Sequence, residues 1–282
     1  PPIFSEAWWE IWRWIVEECH KRGMGIGLSG YTIDWPNHDN LFRKIGVNDG
    51  SLPGISLAVK EQKAAGGAFS WTLPKDTIAL MAYPVSGDAI AVEKALDLRP
   101  QVQGDAVHAE LPAGDWKIVA VTGSPKEYTL DPMDPNSGKR VIERFFEPFA
   151  AHSPGDLAQA MNYFFQDELN FGVDGWLWTA RFPEEFQKRK GYDILPWLPA
   201  LFMDLGPKTP KIRLDFSDVM ISLSEEYYFK PIFDWHWSRG MIYACDPGSR
   251  GKDPLEFGDY FRCVRWYTAP GHDTPGGKAD LI

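Results

Sequence analysis

The sequence predicts an α/β fold of the (β/α)8 TIM-barrel type, incomplete in this chain and carrying an inserted small antiparallel β module. Helix, glycine boundary, buried strand and polar loop recur three times among the 282 residues, which is the repeat of such barrels. Three repeats fall short of a closed ring. Residues of about 54 to 125 instead carry strand-like runs between turn signals.

These patterns predict three segments. Residues 1–53 form the first part of the barrel, residues 54–125 the inserted β-rich module, and residues 126–282 the continuation of the barrel. Because a complete ring needs more βα units than these segments supply, we expect further strands before Pro1 and after Ile282.

Composition limits the classes of partner. With 44% hydrophobic and 24% charged residues, the chain is globular rather than disordered. A formal net charge of −10 argues against nucleic acid, and no apolar run approaches the roughly 18 residues of a membrane span. The three cysteines lack metal-ligand spacing. The 13 tryptophans suit either a packed core or stacking on sugar rings, and the oligomeric state stays open.

The first repeat begins with a helix capped by Ser5 and closed at Gly23. Its apolar residues recur at helical spacing, which predicts a buried stripe of Trp8, Ile11, Trp12, Ile15 and Cys19. The run MGIGLSG (24–30) predicts a buried strand, and the polar stretch 31–40 predicts the loop that leaves it.

The module that follows is predicted from four strand-like runs, TIALMAYPV, AIAVEKALDL, AVHAEL and WKIVAVTG. Turn signals separate them, and we expect a hairpin at the Pro-Ala-Gly-Asp turn of LPAGDWKIVAV. The favoured interpretation is an appendage without catalytic groups, either structural or in contact with carbohydrate.

The second and third repeats place two more strands. A capped helix from about Asn136 precedes the strand MNYFFQDE, and PEEFQKRKGYDILPWLPALF predicts a helix, a turn and a short helix. A longer helix is predicted over about 215 to 239, interrupted at Pro231. MIYACDPGS (241–249) is the third strand.

Polar side chains collect at the ends of the three strands. Carboxyl ends of adjacent parallel strands share one edge, so these groups are expected to converge in one crevice. They are Asp34, Trp35, Asn37 and His38 after the first strand, Asp167, Glu168 and Asn170 after the second, and Asp246 and Arg250 after the third. Hydrolysis of a glycosidic bond needs one carboxyl group to protonate the leaving oxygen and a second as base or nucleophile.

We favour Glu168 as the proton donor and Asp167 as a supporting or ligand-binding group. A carboxyl beside an apolar strand has its charged form disfavoured, which keeps it protonated near neutral pH. Alternation along the strand sends the two side chains to opposite faces. The competing interpretation is that both acids are solvated or cap the next segment, since such pairs end many ordinary strands.

Two further loops compete for a role. Asp246 and Arg250 lie in ACDPGSRG, where a purely conformational role is as well supported as sugar binding. His272 and Asp273 lie in a loop bracketed by proline and glycine, and a single loop histidine is more often solvated than catalytic. No Walker, G-x-S-x-G, G-x-G-x-x-G or H-E-x-x-H motif is present, which excludes the commonest nucleotide, serine-hydrolase and zinc sites.

Taken in order, four stretches resemble the catalytic barrel of glycoside hydrolase family 106, the α-L-rhamnosidase-like enzymes. They are SEAWWEIWRWIVEECHKRGMGIGLSGYTIDWP, FFQDELNFG, FPEEFQKRKGYDILPWLPAL and EEYYFKPIFDWHWSRGMIYACDP. The most specific part is RKGYDILPWLPAL, which matches the family pattern RRGYD-x-x-P-x-LPAL. The loop WPNHDN departs from the family's WPSG, which indicates a divergent branch.

The resemblance implies inverting hydrolysis of rhamnosides in plant polysaccharides, calcium at the active site, and a secreted or periplasmic location. It puts the acid on Glu168 and the second carboxylate on a later strand. The calcium would be held by oxygen atoms of the strand-end residues. The alternative function is a non-catalytic carbohydrate-binding fragment or relic that keeps the aromatic residues and lacks the base.

Overall fold

A computed structural model describes residues 1–29, 41–87, 89–167, 169, 171, 173, 175–246 and 260–271 of the chain. The chain divides into two compact units. The first unit comprises Pro1–Gly54, Lys126–Asp174 and Met220–Ile282, and the second comprises Ile55–Pro125 and Gly175–Val219. Residues 175–219, which were predicted to continue the barrel, therefore lie in the second unit.

The strands are β1 Gly27–Ser29, β2 Ile55–Thr72, β3 Thr77–Ser86, β4 Ala89–Ile90, β5 Leu96–Asp97, β6 Val102–Gln103, β7 Ala106–Pro125, β8 Tyr163–Asp167, β9 Leu177–Trp178, β10 Ile242–Asp246 and β11 Ala269–Pro270. The α-helices are α1 Glu6–Lys21, α2 Leu41–Lys44, α3 Ser137–Val141, α4 Glu147–His152, α5 Leu157–Ala160, α6 Phe182–Lys190, α7 Thr209–Ser224, α8 Lys230–Trp237 and α9 Tyr260–Cys263. Short 3-10 helices span Val92–Lys94, Arg99–Gln101, Leu195–Leu201 and Val264–Trp266, and π-helices span Ile142–Phe146 and Glu225–Phe229.

The parallel sheet of the first unit has the order β1, β8, β10, β11, and each adjacent pair is parallel. The three predicted strands are therefore neighbours in one α/β unit. The predicted burial of the first strand is wrong, because Gly27 and Ser29 of β1 are exposed and Met24 before it is 56% exposed. Over the described residues the sheet is open, with β1 and β11 at its edges, and a closed barrel stays a prediction.

Helix α1 begins as predicted, because the Ser5 hydroxyl accepts a hydrogen bond from the backbone N–H of Trp8 at 3.3 Å. The predicted buried stripe is partly wrong. Trp9, Trp12 and Val16 are the buried residues of the helix, whereas Ile11 is 48% exposed and Ile15 lies at the surface. The helix is therefore rotated by about one residue from the predicted face.

Aromatic side chains fill the core of the first unit, and Val141, Phe145 and Phe149 are among its buried residues. Phe149 packs edge-on against Trp12 at 5.2 Å and against Phe164 of β8 at 5.4 Å. These contacts fix α1 and the α3 to α4 segment on one face of the parallel sheet.

Two helical segments widen into a π-turn shortly before a proline. The backbone N–H of Lys230 donates to the Glu225 carbonyl, five residues back, and Pro231 follows at once. A proline inside a regular α-helix would clash with the carbonyl four residues earlier, and the wider turn relieves that clash. The predicted interruption at Pro231 is thus confirmed, although the helical run begins at Thr209 rather than near residue 215.

The second unit contains the predicted antiparallel module, built on β2, β3 and β7 with short strands at its edges. The predicted hairpin at Pro-Ala-Gly-Asp is wrong, because β7 runs unbroken from Ala106 to Pro125. The turn-like residues form an irregularity in the ladder, where Ala65 pairs with Asp115 and Gly67 pairs with Leu111. The signal read as a chain reversal therefore marks a bulge.

The run AIAVEKALDL also differs from its predicted strand. It folds into β4, a short 3-10 helix and β5, which pair with β3 at two separate places. The helix, turn and short helix predicted for 182–201 are confirmed as α6, a left-handed Gly191 with φ of 80°, and the 3-10 helix Leu195–Leu201.

Across the part of the chain that the structure describes, no helix is both long enough and apolar enough to span a lipid bilayer.

Candidate active site at the carboxyl edge of the parallel sheet

The carboxyl edge of the parallel sheet brings two acidic residues into neighbouring backbone positions. Asp167, the last residue of β8, is in register with Asp246, the last residue of β10. On the other side of β8, Ser29 of β1 is level with Phe165. Functional groups of open and closed α/β folds collect at this edge. The expected convergence of the strand ends therefore holds for the backbone of all three predicted strands.

Most side chains predicted for this site lie outside the described residues. They are Asp34, Trp35, Asn37, His38, Glu168, Asn170, Arg250, His272 and Asp273. Asp167 and Asp246 are placed by their backbones alone. The roles of all these residues, Glu168 as acid included, stay predictions.

The two faces of the sheet differ in chemical character. Leu28, Phe164, Tyr243 and Cys245 pack into the aromatic core with the helices. The alternate positions point the other way, and there Tyr163 is 39% exposed and Ile242 45% exposed. Gly27 of β1 has no room for a Cβ because the Tyr163 ring lies over it. An aromatic ring thus covers part of the face opposite the helices.

A buried hydrogen-bonded cluster lies one residue before Asp167, and we call Gln166, Tyr228, Tyr243 and Tyr267 the glutamine–tyrosine cluster. Tyr243 Oη donates to Gln166 Oε1 at 2.6 Å, and Tyr267 Oη donates to the same oxygen at 2.7 Å. Gln166 Nε2 donates to Tyr228 Oη at 3.1 Å. A buried amide is costly unless it is hydrogen-bonded, so these bonds hold the end of β8 in one position.

The Tyr267 hydroxyl of this cluster stays protonated over the ordinary pH range. Burial raises the pKa of the Tyr267 hydroxyl well above its usual value, because no solvent is available to stabilise a phenolate. The ring of Tyr267 also stacks on Tyr243 at 4.7 Å. Tyr267 therefore remains a hydrogen-bond donor to Gln166 throughout that range.

Behind the cluster lies His236, whose side chain is fully buried. Its ring stacks on Tyr243 at 4.3 Å, and its Nδ1 is 2.8 Å from the Ile232 carbonyl oxygen, which indicates that Nδ1 carries the proton. Its Nε2 has no hydrogen-bond partner among the described residues. Burial, with a smaller effect of Arg239, lowers the pKa of His236 to about 4, so the ring is neutral.

Glu225, buried in the π-turn between α7 and α8, holds the segment that joins α9 to β11. Arg265 donates to its Oε1 at 2.6 Å and Trp266 Nε1 donates to the same oxygen at 3.0 Å. Arg262 donates to its Oε2 through Nε at 3.1 Å and also through Nη2. The carboxylate is thus satisfied by three side chains of one short segment.

Sequence reasoning missed both the glutamine–tyrosine cluster and Glu225. A signal for the first was present, since Gln166 is a lone amide in an otherwise apolar strand and a buried amide must have partners. The tyrosines that satisfy it lie 62, 77 and 101 residues away along the chain, so no local pattern identifies them.

The stretch RKGYD, the most specific of the sequence features, serves the packing of the second unit. Gly191 closes α6 in the left-handed conformation. Tyr192 Oη donates to Asp215 Oδ2 at 2.7 Å, and Lys190 Nζ is 2.5 Å from Asp218 Oδ2. Burial, reinforced by the Asp215 carboxylate, raises the pKa of Tyr192, which keeps its hydroxyl protonated. These side chains tie α6 to α7.

The described residues contain no group of three or more His, Cys, Asp or Glu side chains that could hold a metal ion. The oxygen ligands predicted for calcium lie among the strand-end residues that the structure does not describe. Calcium therefore stays a prediction.

Comparison with known proteins gives a family model, a curated relative and a solved structure that resemble this chain. The model of glycoside hydrolase family 106, described as alpha-L-rhamnosidase, matches residues 59–246. A putative beta-glucuronidase of Formosa agariphila is 25% identical over 186 residues, covering 59% of this chain and 16% of that protein. A rhamnosidase structure from Novosphingobium sp. PP1Y superposes with a TM-score of 0.64 at 10% identity, over 94% of this chain and 43% of that one. That superposition shows similarity of fold, and this chain spans less than half of either protein.

Proposed function

Since this chain belongs to glycoside hydrolase family 106, we propose that it carries the acid-bearing part of a glycosidase site, with Glu168 as the general acid. The observation that supports this proposal best is the register of β8 and β10, because it sets Asp167 beside Asp246 immediately before Glu168. Asp167 is proposed to support the acid or to bind ligand.

The surroundings of Glu168 in the chain favour an acid that is protonated near neutral pH. Leu169, Phe171 and Val173 are all buried, and Phe171 packs edge-on against Tyr228 of the glutamine–tyrosine cluster at 4.9 Å. An apolar environment raises the pKa of a carboxyl group because it disfavours the charged form. A proton held in this way is available to the leaving oxygen of the glycosidic bond.

The proposed reaction is inverting hydrolysis of an α-L-rhamnoside within a complex polysaccharide. The acid protonates the departing oxygen while a second carboxylate activates water on the opposite face of the sugar ring. In inverting enzymes these two carboxyl groups lie about 6.5 to 9.5 Å apart. That carboxylate is expected on a later strand of a (β/α)8 barrel that includes β1, β8 and β10. Asp34, Trp35, Asn37, His38, Asn170, Asp246, Arg250, His272 and Asp273 are proposed to line the sugar site.

Calcium, if bound there, would take carboxylate and amide oxygens of the strand-end loops, and would orient sugar hydroxyls. Chelation of that calcium is expected to weaken sugar binding.

The test is hydrolysis of aryl glycosides and pectic oligosaccharides, α-L-rhamnosides included, by the wild type and by Glu168→Gln. The amide keeps the shape of the side chain and removes its proton, so kcat should fall by about 10² to 10⁴ with little change in KM. Asp167→Asn is the matched variant at the neighbouring carboxyl, and its kcat should fall less than that of Glu168→Gln. Each reaction is run with calcium and with a chelator.

Equal turnover by wild type and Glu168→Gln would remove Glu168 from the mechanism. A larger loss in Asp167→Asn than in Glu168→Gln would exchange their roles. Oligosaccharide binding by the wild type without release of sugar from any substrate would instead favour the alternative, a non-catalytic carbohydrate-binding fragment.

A further inference from the structure

A cleft of about 560 Å³ opens on the second unit. It lies between β2, β7 and the hairpin formed by β3 and β4. Its volume falls in the range of small-molecule sites, about 300 to 1,000 Å³. We call it the module cleft.

The module cleft is a consequence of the bulge in the long ladder of β2 and β7. Ala64 and Ala65 of β2 pair with Trp116 and Asp115 of β7, so small side chains stand opposite large ones. Gly66 cannot be larger, because a Cβ there would lie 2.5 Å from the Pro112 carbonyl oxygen. Trp116 is fixed in turn, since its Nε1 donates to that same carbonyl at 2.8 Å. The hollow is therefore held open by packed neighbours.

Two lysines meet across the ladder at the cleft. Lys63 and Lys117 are direct Cα partners, and like charges in that position repel each other. Lys117 Nζ lies 3.1 Å from Glu61 Oε2. Among the described residues Lys63 has no carboxylate partner within ion-pair distance, although its side chain lines the cleft. An anionic ligand group between the two ammonium groups would reduce this repulsion.

The rest of the lining fits a polyhydroxylated ring. Asp115, two residues before Lys117 and so on the same face of β7, can accept hydrogen bonds from hydroxyl groups. Ala65, Val85 and Ile90 supply an apolar surface, which suits the C–H face of a pyranose. The cleft thus combines a place for one negative charge, an acceptor for hydroxyls and an apolar wall.

From this combination we infer that the module cleft binds a uronate residue of an acidic oligosaccharide, with its carboxylate between Lys63 and Lys117. This second site is independent of the proposed function, because it uses no residue of the carboxyl edge and requires no turnover.

The experiment is calorimetric titration of the wild-type protein with digalacturonate and with its dimethyl ester. The ester keeps the shape and hydroxyls of the sugar and removes its charge, so it should bind about tenfold more weakly. Affinity for the acid should also fall between about 50 mM and about 500 mM NaCl, because salt screens the lysines.

Lys63→Gln should weaken binding of the acid about tenfold and leave binding of the ester unchanged. Lys60→Gln is the matched control, since Lys60 is an exposed lysine of the same strand outside the cleft and its loss should change neither affinity. Equal affinity of the wild type for acid and ester, equal losses in the two lysine variants, or no binding of the acid would each overturn the inference. Turnover by the carboxyl edge does not enter these measurements.

Discussion

At the scale of single residues, His236 links the stability of the first unit to pH. Its folded pKa of about 4 lies below the ordinary value of 6.5, because the buried ring resists protonation. Below pH 6.5 the unfolded chain therefore binds a proton that the folded chain does not. The contribution of the neutral ring to the free energy of unfolding is fully present above about pH 6.5 and is lost as the pH falls through about 4.

We expect His236→Phe to flatten this pH dependence. Phenylalanine can keep the stacking on Tyr243 and has no proton to gain, although losing the bond to the Ile232 carbonyl lowers stability at every pH. Between about pH 7.5 and about pH 5, the wild type should lose about 2 kcal/mol more unfolding free energy than the variant. Urea titrations at the two pH values measure the difference. Equal losses in both proteins would contradict the assigned protonation state.

Helix α1 shows where residue-level prediction from sequence fails. Trp8 and Trp9 are adjacent, and either can begin an apolar stripe at helical spacing. The predicted stripe through Ile11 and Ile15 was wrong, because the pockets between Phe149 and the neighbouring rings accept Trp9 and Trp12. The choice between two stripes depends on the partner surface, which the helix sequence does not contain.

At the scale of elements, Glu225 determines how firmly the segment from α9 to β11 is held. We expect Glu225→Gln to destabilise the protein by about 2 kcal/mol, because it removes the buried carboxylate that accepts charge-assisted hydrogen bonds from both Arg262 and Arg265. Hydrogen exchange within 260–271 should accelerate most. Urea denaturation and exchange detected by mass spectrometry give the two readings.

Glu226→Gln is the control for that variant, since it makes the same chemical change at the next residue of the π-turn, where the side chain is exposed. It should cost well under 1 kcal/mol. If both variants lose the same stability, or if exchange in 260–271 is unaffected by Glu225→Gln, the ion-pair cluster does not hold this segment.

Elements with local signals were predicted well, and those defined by distant pairing were not. Ser5 and Pro231 mark a helix start and a helix interruption through their own backbone chemistry, and both were read correctly. The composition of the Pro-Ala-Gly-Asp run is compatible with a turn and equally with a bulge. Only the pairing of β7 with Ala65 and Gly67 of β2 decides between them.

At the scale of the whole molecule, each unit has its own apolar core. Leu80, Leu98 and Ile118 are buried together in the second unit, and Phe149, Phe164 and Tyr243 in the first. We expect Leu80→Ala to cost about 2 to 5 kcal/mol through the cavity it leaves.

The fastest loss of hydrogen-exchange protection in Leu80→Ala should occur within 55–125 and 175–219. Phe164→Ala, a truncation in the other core, is the counterpart and should affect the first unit most. Uniform acceleration across the chain in both variants would mean that the two cores unfold as one cooperative unit.

The α/β class, three strands of the parallel sheet and the antiparallel module could all be predicted, because each rests on periodicity and turn residues within short stretches. The fourth strand, β11, lies in a stretch that was predicted to be a loop. The candidate site was predictable only as a set of strand ends. Asp167 and Asp246 follow short apolar runs, and such runs indicate strands. Gln166 and its tyrosines were not found, because long-range hydrogen bonds define them. Barrel closure is equally a matter of strand pairing, and the periodicity of single strands carries no information about it.

The π-turn before Pro231 acts as a phase shift in the helical run that it interrupts. It holds one residue more than an α-turn, so every side chain beyond it is rotated by about 100° from where a regular helix would put it. Trp235 and His236 reach Phe146 and Tyr243 only in this shifted phase. Deleting one residue from Glu225–Phe229 would leave a more regular helix and turn those two rings away from the sheet. The number of residues in this π-turn is therefore as constrained as their types.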